Sequence, residues 1–256
     1  MQITLIQGLL LALMAFFAGF DDLMEAFFIF RPIIVATFTG LILGDVQTGV
    51  ICGGLTELAF AGLTPAGGAS VPNGTIAGIM TAYLAITQGM NAAEAFPLAL
   101  PFCFLMQYLG TLKGAVFAFF MKPVDSMAEK GDAKGIVRLH VATLVITGLC
   151  FSVVTFLCTY AAQDLISSIV NAFPERLMNG LNVAGGLLPA VGFCMLLSVL
   201  LKKEFLAYLI IGFVCACFIS FGNVLPVALI GVALALLDYH NNEKEKKSGG
   251  SKNVGI

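Results

Sequence analysis

GGLTELAFAGLTPAGGASVPNG, Gly53 to Gly74, sets one carboxylate, Glu57, in apolar sequence immediately before a segment that no helix crosses unbroken. An ionisable side chain in hydrocarbon costs roughly 3 kcal/mol or more, so such a group faces a cavity, a partner or a substrate. Pro65, Gly67, Gly68, Pro72 and Gly74 lower helix propensity, and the prolines remove backbone donors, leaving peptide groups that protein, water or ligand must satisfy. The stretch is therefore a candidate substrate site. Glu57 is its charge, and Gly67, Gly68 and Pro72 are its supporting backbone.

The rest of the chain supplies the membrane that this reading needs. Its 256 residues are 59% hydrophobic and 11% charged, with mean hydropathy +0.98, far from the half-apolar, quarter-charged composition of soluble domains. The expected fold class is all-α, a polytopic membrane protein. At about 20 residues per span the length admits at most eight or nine crossings, which leaves no room for a second globular domain. Between Met1 and Leu112 the only basic residue is Arg31. Lys122, Lys130, Lys134 and Arg138 share one loop, Lys202 and Lys203 a second, and Lys244, Lys246, Lys247 and Lys252 the tail, so the positive-inside rule places all three in the cytoplasm.

Apolar segments run over residues 3–20, 27–44, 46–63, 74–89, 95–121, 139–162, 181–201, 205–221 and 224–239. Those flanking the Pro65–Pro72 break are near the lower limit for a crossing and predict discontinuous helices or re-entrant hairpins. Residues 162–180 alternate polar and apolar groups in a pattern that suits an interfacial amphipathic helix. The expected organisation is a membrane domain over 1–240, with halves 1–121 and 139–240 joined by a cytoplasmic loop at 122–138, and a flexible cytoplasmic tail at 241–256. TELAFAGLTPAGG from Thr56 and PERLMNGLNVAGG from Pro174 align without gaps at an offset of 118, with six of thirteen positions identical. Matching interrupted segments of this kind mark a transporter built from structural repeats, here an internal, inverted one.

Other chemistry is sparse. The seven Cys lie in apolar runs, have no His neighbours and read as small packing residues, so no metal site is expected. There is no phosphate-binding Gly-rich loop and no set of nucleophile, base and orienting group. His140 and His240 stand at the ends of apolar segments beside basic loops, where an interfacial role is expected.

FRPII (30–34), LGDVQTG (43–49), GGLTELAFAGLTPAGG (53–68), MAEKGD (127–132) and PERLMNGLNVAGGLLPAVGF (174–193) together resemble the membrane subunit, enzyme IIC, of mannose-type sugar phosphotransferase systems. Nearly the whole chain is similar to this family. LTELAFAGLTPAGG followed by VPN most resembles the branch that handles galactosamine and N-acetylgalactosamine; mannose-transporting relatives typically carry Asp where this chain has Asn73. The resemblance implies an inner-membrane sugar permease without cofactors, not an enzyme by itself. It pairs with a IID membrane subunit, in a higher oligomer of IIC–IID pairs, and is served by soluble IIA and IIB components that carry phosphate on His. No nucleic acid enters this reading. The competing class is an ion-coupled secondary transporter using Glu57 and the Asp21–Glu25 cluster.

In that frame Glu57 offers charge-assisted acceptors to sugar hydroxyls, or packs between helices paired to Arg31. Asn73 binds a hydroxyl or acetamido group, caps the helix opening at Gly74, or does both. Gln107, in a segment where an amide at membrane depth faces inward, contacts sugar or bonds between helices. Asp22 is a pocket candidate within a cluster that otherwise reads as solvated. Arg31 neutralises a nearby acid.

Overall fold

The computed structural model describes residues 2–61, 71–171, 174–202, 205–219 and 225–249, and among them there is no strand. The helices are α1 (Leu5–Met24), α2 (Pro32–Leu43), α3 (Val46–Phe60), α4 (Gly74–Gln88), α5 (Ala92–Ala118), α6 (Met121–Glu129), α7 (Ala133–Phe156), α8 (Gln163–Asn171), α9 (Glu175–Leu200), α10 (Leu206–Phe218) and α11 (Leu225–Gly249). A π-helical turn, Leu157–Ala161, extends α7. Four helical stretches are long and apolar enough to cross a membrane: Leu5–Met24, Ala92–Ala118, Ala133–Ala161 and Glu175–Leu200. By contact density the chain divides into Met1–Leu197 and Ser198–Ile256.

In the first unit, α1 carries a stripe of small residues, Gly8, Ala12, Ala15 and Gly19, that lets α7 and its π-turn approach closely. A Cβ on Gly19 would sit 2.6 Å from the Phe151 ring, and one on Gly8 would sit 2.8 Å from Tyr160 Cβ. Contact through small residues is the usual means of helix association in a membrane, where apolar surface alone gives no preference for protein over lipid.

The α2–α3 hairpin turns at Gly44, whose φ of 90° is left-handed. Asp45 then caps α3, accepting from the Thr48 amide at 3.0 Å and hydroxyl at 2.6 Å. The two helices cross at Gly40 and Gly49, where a Cβ on either would lie 2.9 Å from the other's Cα.

Twelve of the fifteen residues of α4 are buried, and it packs against α2, α3 and α5. A helix apolar on all sides belongs at the centre of a bundle. Several buried hydroxyls are satisfied along their own helices: Thr39, Thr56 and Thr159 donate to the carbonyls four residues back at 2.7–2.8 Å.

Pro97 and Pro101 lie inside α5. Pro97 has no N–H, so the Ala93 carbonyl loses its helical partner. Gly185 of α9 comes against that carbonyl so closely that no Cβ fits, and Gly192 does the same at the Leu58 carbonyl of α3. Asn182 of α9 donates to Glu94 of α5 at 3.1 Å.

Several boundaries differ from those expected. The region at 162–180 is two helices, since Pro174 opens a new one and α9 starts at Glu175, six residues before the apolar run. The 122–138 loop contains α6 and the first turns of α7, and α11 continues past residue 240 to Gly249. The aligned segments also differ in helix phase. Glu57 lies in the last turn of α3, Glu175 in the first of α9, and α9 is unbroken, with Val183 and Ala190 at the offsets of Pro65 and Pro72 and Pro189 inside the helix. Gly67, Gly68 and the core of the expected break lie outside the described residues.

In the second unit α10 packs on α11, and the Tyr208 hydroxyl donates to Asp238 at 3.0 Å.

Candidate functional site

Four helix ends converge on one hollow of about 250 Å³. Asp22 comes from the last turn of α1, Phe30, Arg31 and Pro32 from the entry to α2, Glu57 and Phe60 from the end of α3, and Val71–Thr75 from the entry to α4. Of the residues singled out from the sequence, the fold thus gathers Asp22, Arg31, Glu57, Pro72 and Asn73. Gln107 lies on α5, half-buried, and is not part of the lining.

Glu57 faces the hollow with its side chain 20% exposed and is held by two groups. The Arg31 guanidinium donates to Oε1, and the Ile33 amide donates to Oε2 at 3.2 Å. Glu57 thus forms the helix-packing ion pair with Arg31 and is also one of the residues lining the cavity. Ile33 is in the first turn of α2, which has no side-chain cap of its own. Glu57 supplies the missing acceptor from a neighbouring helix, and a carboxylate at a helix N-terminus is favoured by the macrodipole. A carboxylate has about four lone-pair sites, so two remain for hydroxyl donors.

Asn73 caps α4. Its Oδ1 accepts from the Ile76 amide at 2.9 Å and its own amide donates to the Cys103 carbonyl at 3.5 Å. Its side-chain NH₂ has no partner among the described residues, and Asn73 is one of the residues lining the hollow. Thr75 ties the rim together, donating to the Phe30 carbonyl at 2.8 Å. Phe30 and Phe60 supply apolar walls to the hollow. These aromatics were not singled out from the sequence, although Phe60 stands three residues after Glu57 and so shares its helix face.

Asp21 also escaped notice as a separate element. It is 2% exposed and accepts from the amides of Ala26, Phe27 and Ile29. Glu25 ends α1 in a left-handed conformation with φ 47° rather than continuing the helical face of Asp22.

The family profile described as "EII-Sor: PTS system sorbose-specific iic component" matches residues 5–237. The chain belongs to this family. It is 47% identical over 247 residues to the N-acetylgalactosamine permease IIC component 1 of Escherichia coli strain K12, covering 96% of this chain and 92% of that protein. It is 30% identical to the sorbose-specific EIIC component of Klebsiella pneumoniae, covering 97% and 93%. Among solved structures, one described as a membrane protein shares 28% identity at a TM-score of 0.83, covering 93% of this chain and 97% of the other. The mannose transporter ManYZ in complex with microcin E492 shares 29% identity at 0.59, covering 94% and 97%. As an EII-Sor protein, the chain is a sugar-translocating IIC subunit of a phosphotransferase system and a multi-pass protein of the bacterial inner membrane. It is a transport subunit rather than a catalyst by itself.

Proposed function

We propose that this IIC subunit imports an amino sugar of galactose type, galactosamine or N-acetylgalactosamine, and that the hollow at Asp22, Arg31, Glu57 and Asn73 is where the sugar is held. The observation that carries this reading is the pairing in one cavity of spare carboxylate acceptor sites on Glu57 with an Asn73 amide donor that has no partner among the described residues. Hydroxyl and acetamido groups need both kinds of partner, and a cavity below the usual size for drug-like ligands suits a monosaccharide. The similarity to an N-acetylgalactosamine permease component supports the sugar class.

A IID membrane subunit completes the translocation unit, in a higher oligomer of such pairs. Phosphorylated IIB, recharged by IIA, donates its phosphoryl group from His to a sugar hydroxyl on the cytoplasmic side. The sugar phosphate is trapped by its charge, which makes import directional. The Lys-rich C-terminal tail faces the cytoplasm.

The test is proteoliposomes containing this chain and its IID partner, given a panel of labelled hexoses and hexosamines with or without phosphorylated IIB inside. Phosphorylated galactosamine or N-acetylgalactosamine should accumulate only with phosphorylated IIB and should survive collapse of ion gradients. Accumulation of unmodified sugar that stops when the gradients collapse would instead establish ion coupling.

The two roles of Asn73 separate by substitution. Asn73→Ser keeps a good capping oxygen, so stability should change by no more than about 0.5 kcal/mol. Losing the amide donor should weaken sugar binding roughly fivefold, the worth of one neutral hydrogen bond of about 1 kcal/mol. Thermal denaturation of the purified complex and sugar binding by calorimetry read the two effects independently. Equal binding by both proteins would confine Asn73 to its cap.

A further inference from the structure

Asp21 is buried at the end of α1, and the site reading gives it no task. It forms no ion pair among the described residues; the one bridge there joins Arg31 to Glu57. Its carboxylate is spent on backbone: Oδ1 accepts from the amides of Ala26 at 3.2 Å and Phe27 at 2.9 Å, and Oδ2 from that of Ile29 at 2.7 Å.

The loop so held contains two left-handed non-glycine residues, Glu25 with φ 47° and Phe28 with φ 58°. Such conformations persist only where the surroundings hold them. The same loop delivers two pieces of the hollow. The Arg31 amide donates to the Phe28 carbonyl at 3.1 Å, and the Phe30 carbonyl accepts from Thr75 at 2.8 Å. The Arg31 side chain then meets Glu57. A line of hydrogen bonds thus runs from a buried anion, through a strained loop, to the rim of the cavity.

We infer that Asp21 is a positioning residue for sugar recognition, its carboxylate fixing loop 25–31 so that Phe30 and Arg31 stand where the hollow needs them. This inference rests on the reading of the hollow as the sugar site. A carboxylate is required because all three partners are donors. The Asn side chain keeps one acceptor oxygen and turns an NH₂ toward an N–H.

The experiment compares Asp21→Asn with wild type, each co-assembled with the IID subunit. It measures phosphorylation-coupled uptake of galactosamine and N-acetylgalactosamine, together with amide hydrogen exchange. The apparent KM should rise about tenfold, the scale of a lost charge-assisted hydrogen bond, with Vmax per assembled complex within about twofold. Exchange should quicken at residues 26–33 and 71–75 and stay unchanged along α1 and α7. An unchanged KM, or exchange that quickens throughout α1 and α7, would overturn the assignment.

If Asp21→Asn does not assemble, Thr75→Val and Thr75→Ser decide, because Thr75 anchors the far end of the same loop. The valine variant should raise KM and speed exchange at residues 26–31, while the serine variant restores both. Slow exchange there in the valine variant overturns the proposal. Glu57→Gln, run in parallel, separates the two levels. If it leaves KM unchanged, the hollow is not the sugar site and both readings fall. If it raises KM while Asp21→Asn does not, only the role of Asp21 falls.

Discussion

Glu57→Ala should reduce sugar affinity at least about a hundredfold, because the substitution removes charge-assisted acceptors and leaves a cation and a helix-end amide without partners. Three consequences arise together. Sugar hydroxyls lose their strongest acceptor, Arg31 loses its counter-charge, and the Ile33 amide at the start of α2 loses its cap. Glu57→Gln is gentler. Its amide oxygen can serve either Ile33 or a sugar hydroxyl, but its NH₂ is repelled by the guanidinium, so a loss of roughly ten- to a hundredfold is expected. The pair should also be non-additive, since contacting residues share their interaction energy. Arg31→Gln with Glu57→Gln should therefore bind sugar no worse than Glu57→Gln alone. Calorimetric titration of the purified complex with the transported hexosamine reads all three variants. Near-wild-type binding by Glu57→Ala would reduce the ion pair to helix packing.

The second large effect is on stability, at the crossing of α2 and α3. Gly49→Ala and Gly54→Ala make the same chemical change in the same helix, yet opposite outcomes are expected. At Gly54 nothing lies within 4 Å of the added methyl, so the better helix propensity of Ala prevails, a gain of up to about 1 kcal/mol. At Gly49 the methyl would stand 2.7 Å from the Ala36 carbonyl and 2.9 Å from the Gly40 Cα. Both are backbone and cannot swing aside, so the helices must separate, at a cost of about 1–3 kcal/mol that outweighs the propensity gain. Gly49→Val adds two further carbons at the same place and should leave little folded subunit. Because α2 and α3 carry Arg31 and Glu57 to the hollow, sugar binding should fall with it. Thermal denaturation of the detergent-purified complex ranks the four proteins. A Gly49→Ala variant as stable as Gly54→Ala would show that the crossing is looser than described.

The parts of this site that were legible in the sequence were those in which a single residue conflicts with its surroundings. Glu57 in an apolar run, Arg31 as the lone early cation and Asn73 after a proline each stand out, and the fold brings all three to one cavity. The start of α4 at Gly74 agrees with Pro72 and Asn73 before it. What could not be read was set by partners distant along the chain. Asp21 and Asp22 are adjacent and chemically identical, but burial and three amides commit one to the backbone, while the other borders the hollow. Gln107 looked inward-facing because an amide at membrane depth must, yet facing inward does not mean facing this cavity. The aligned motif at Pro174 shared identities with the first copy but not its Pro65, and α9 runs unbroken through Gly185 and Gly186.

Among the described residues, the hollow is lined by the ends of helices and the short segments leading into them. A tip moves furthest when its rod pivots. α3, which carries Glu57, has 15 residues and is about 22 Å long, so a pivot of about eight degrees at one end carries the other roughly 3 Å, the span of a hydrogen bond. Such a displacement takes Glu57 out of reach of a sugar held at Asn73 in the proposed site, without altering any torsion within either rod. If the hollow is the sugar site proposed above, grip and release can be governed by the angles between stiff levers, leaving the lining residues unchanged in shape.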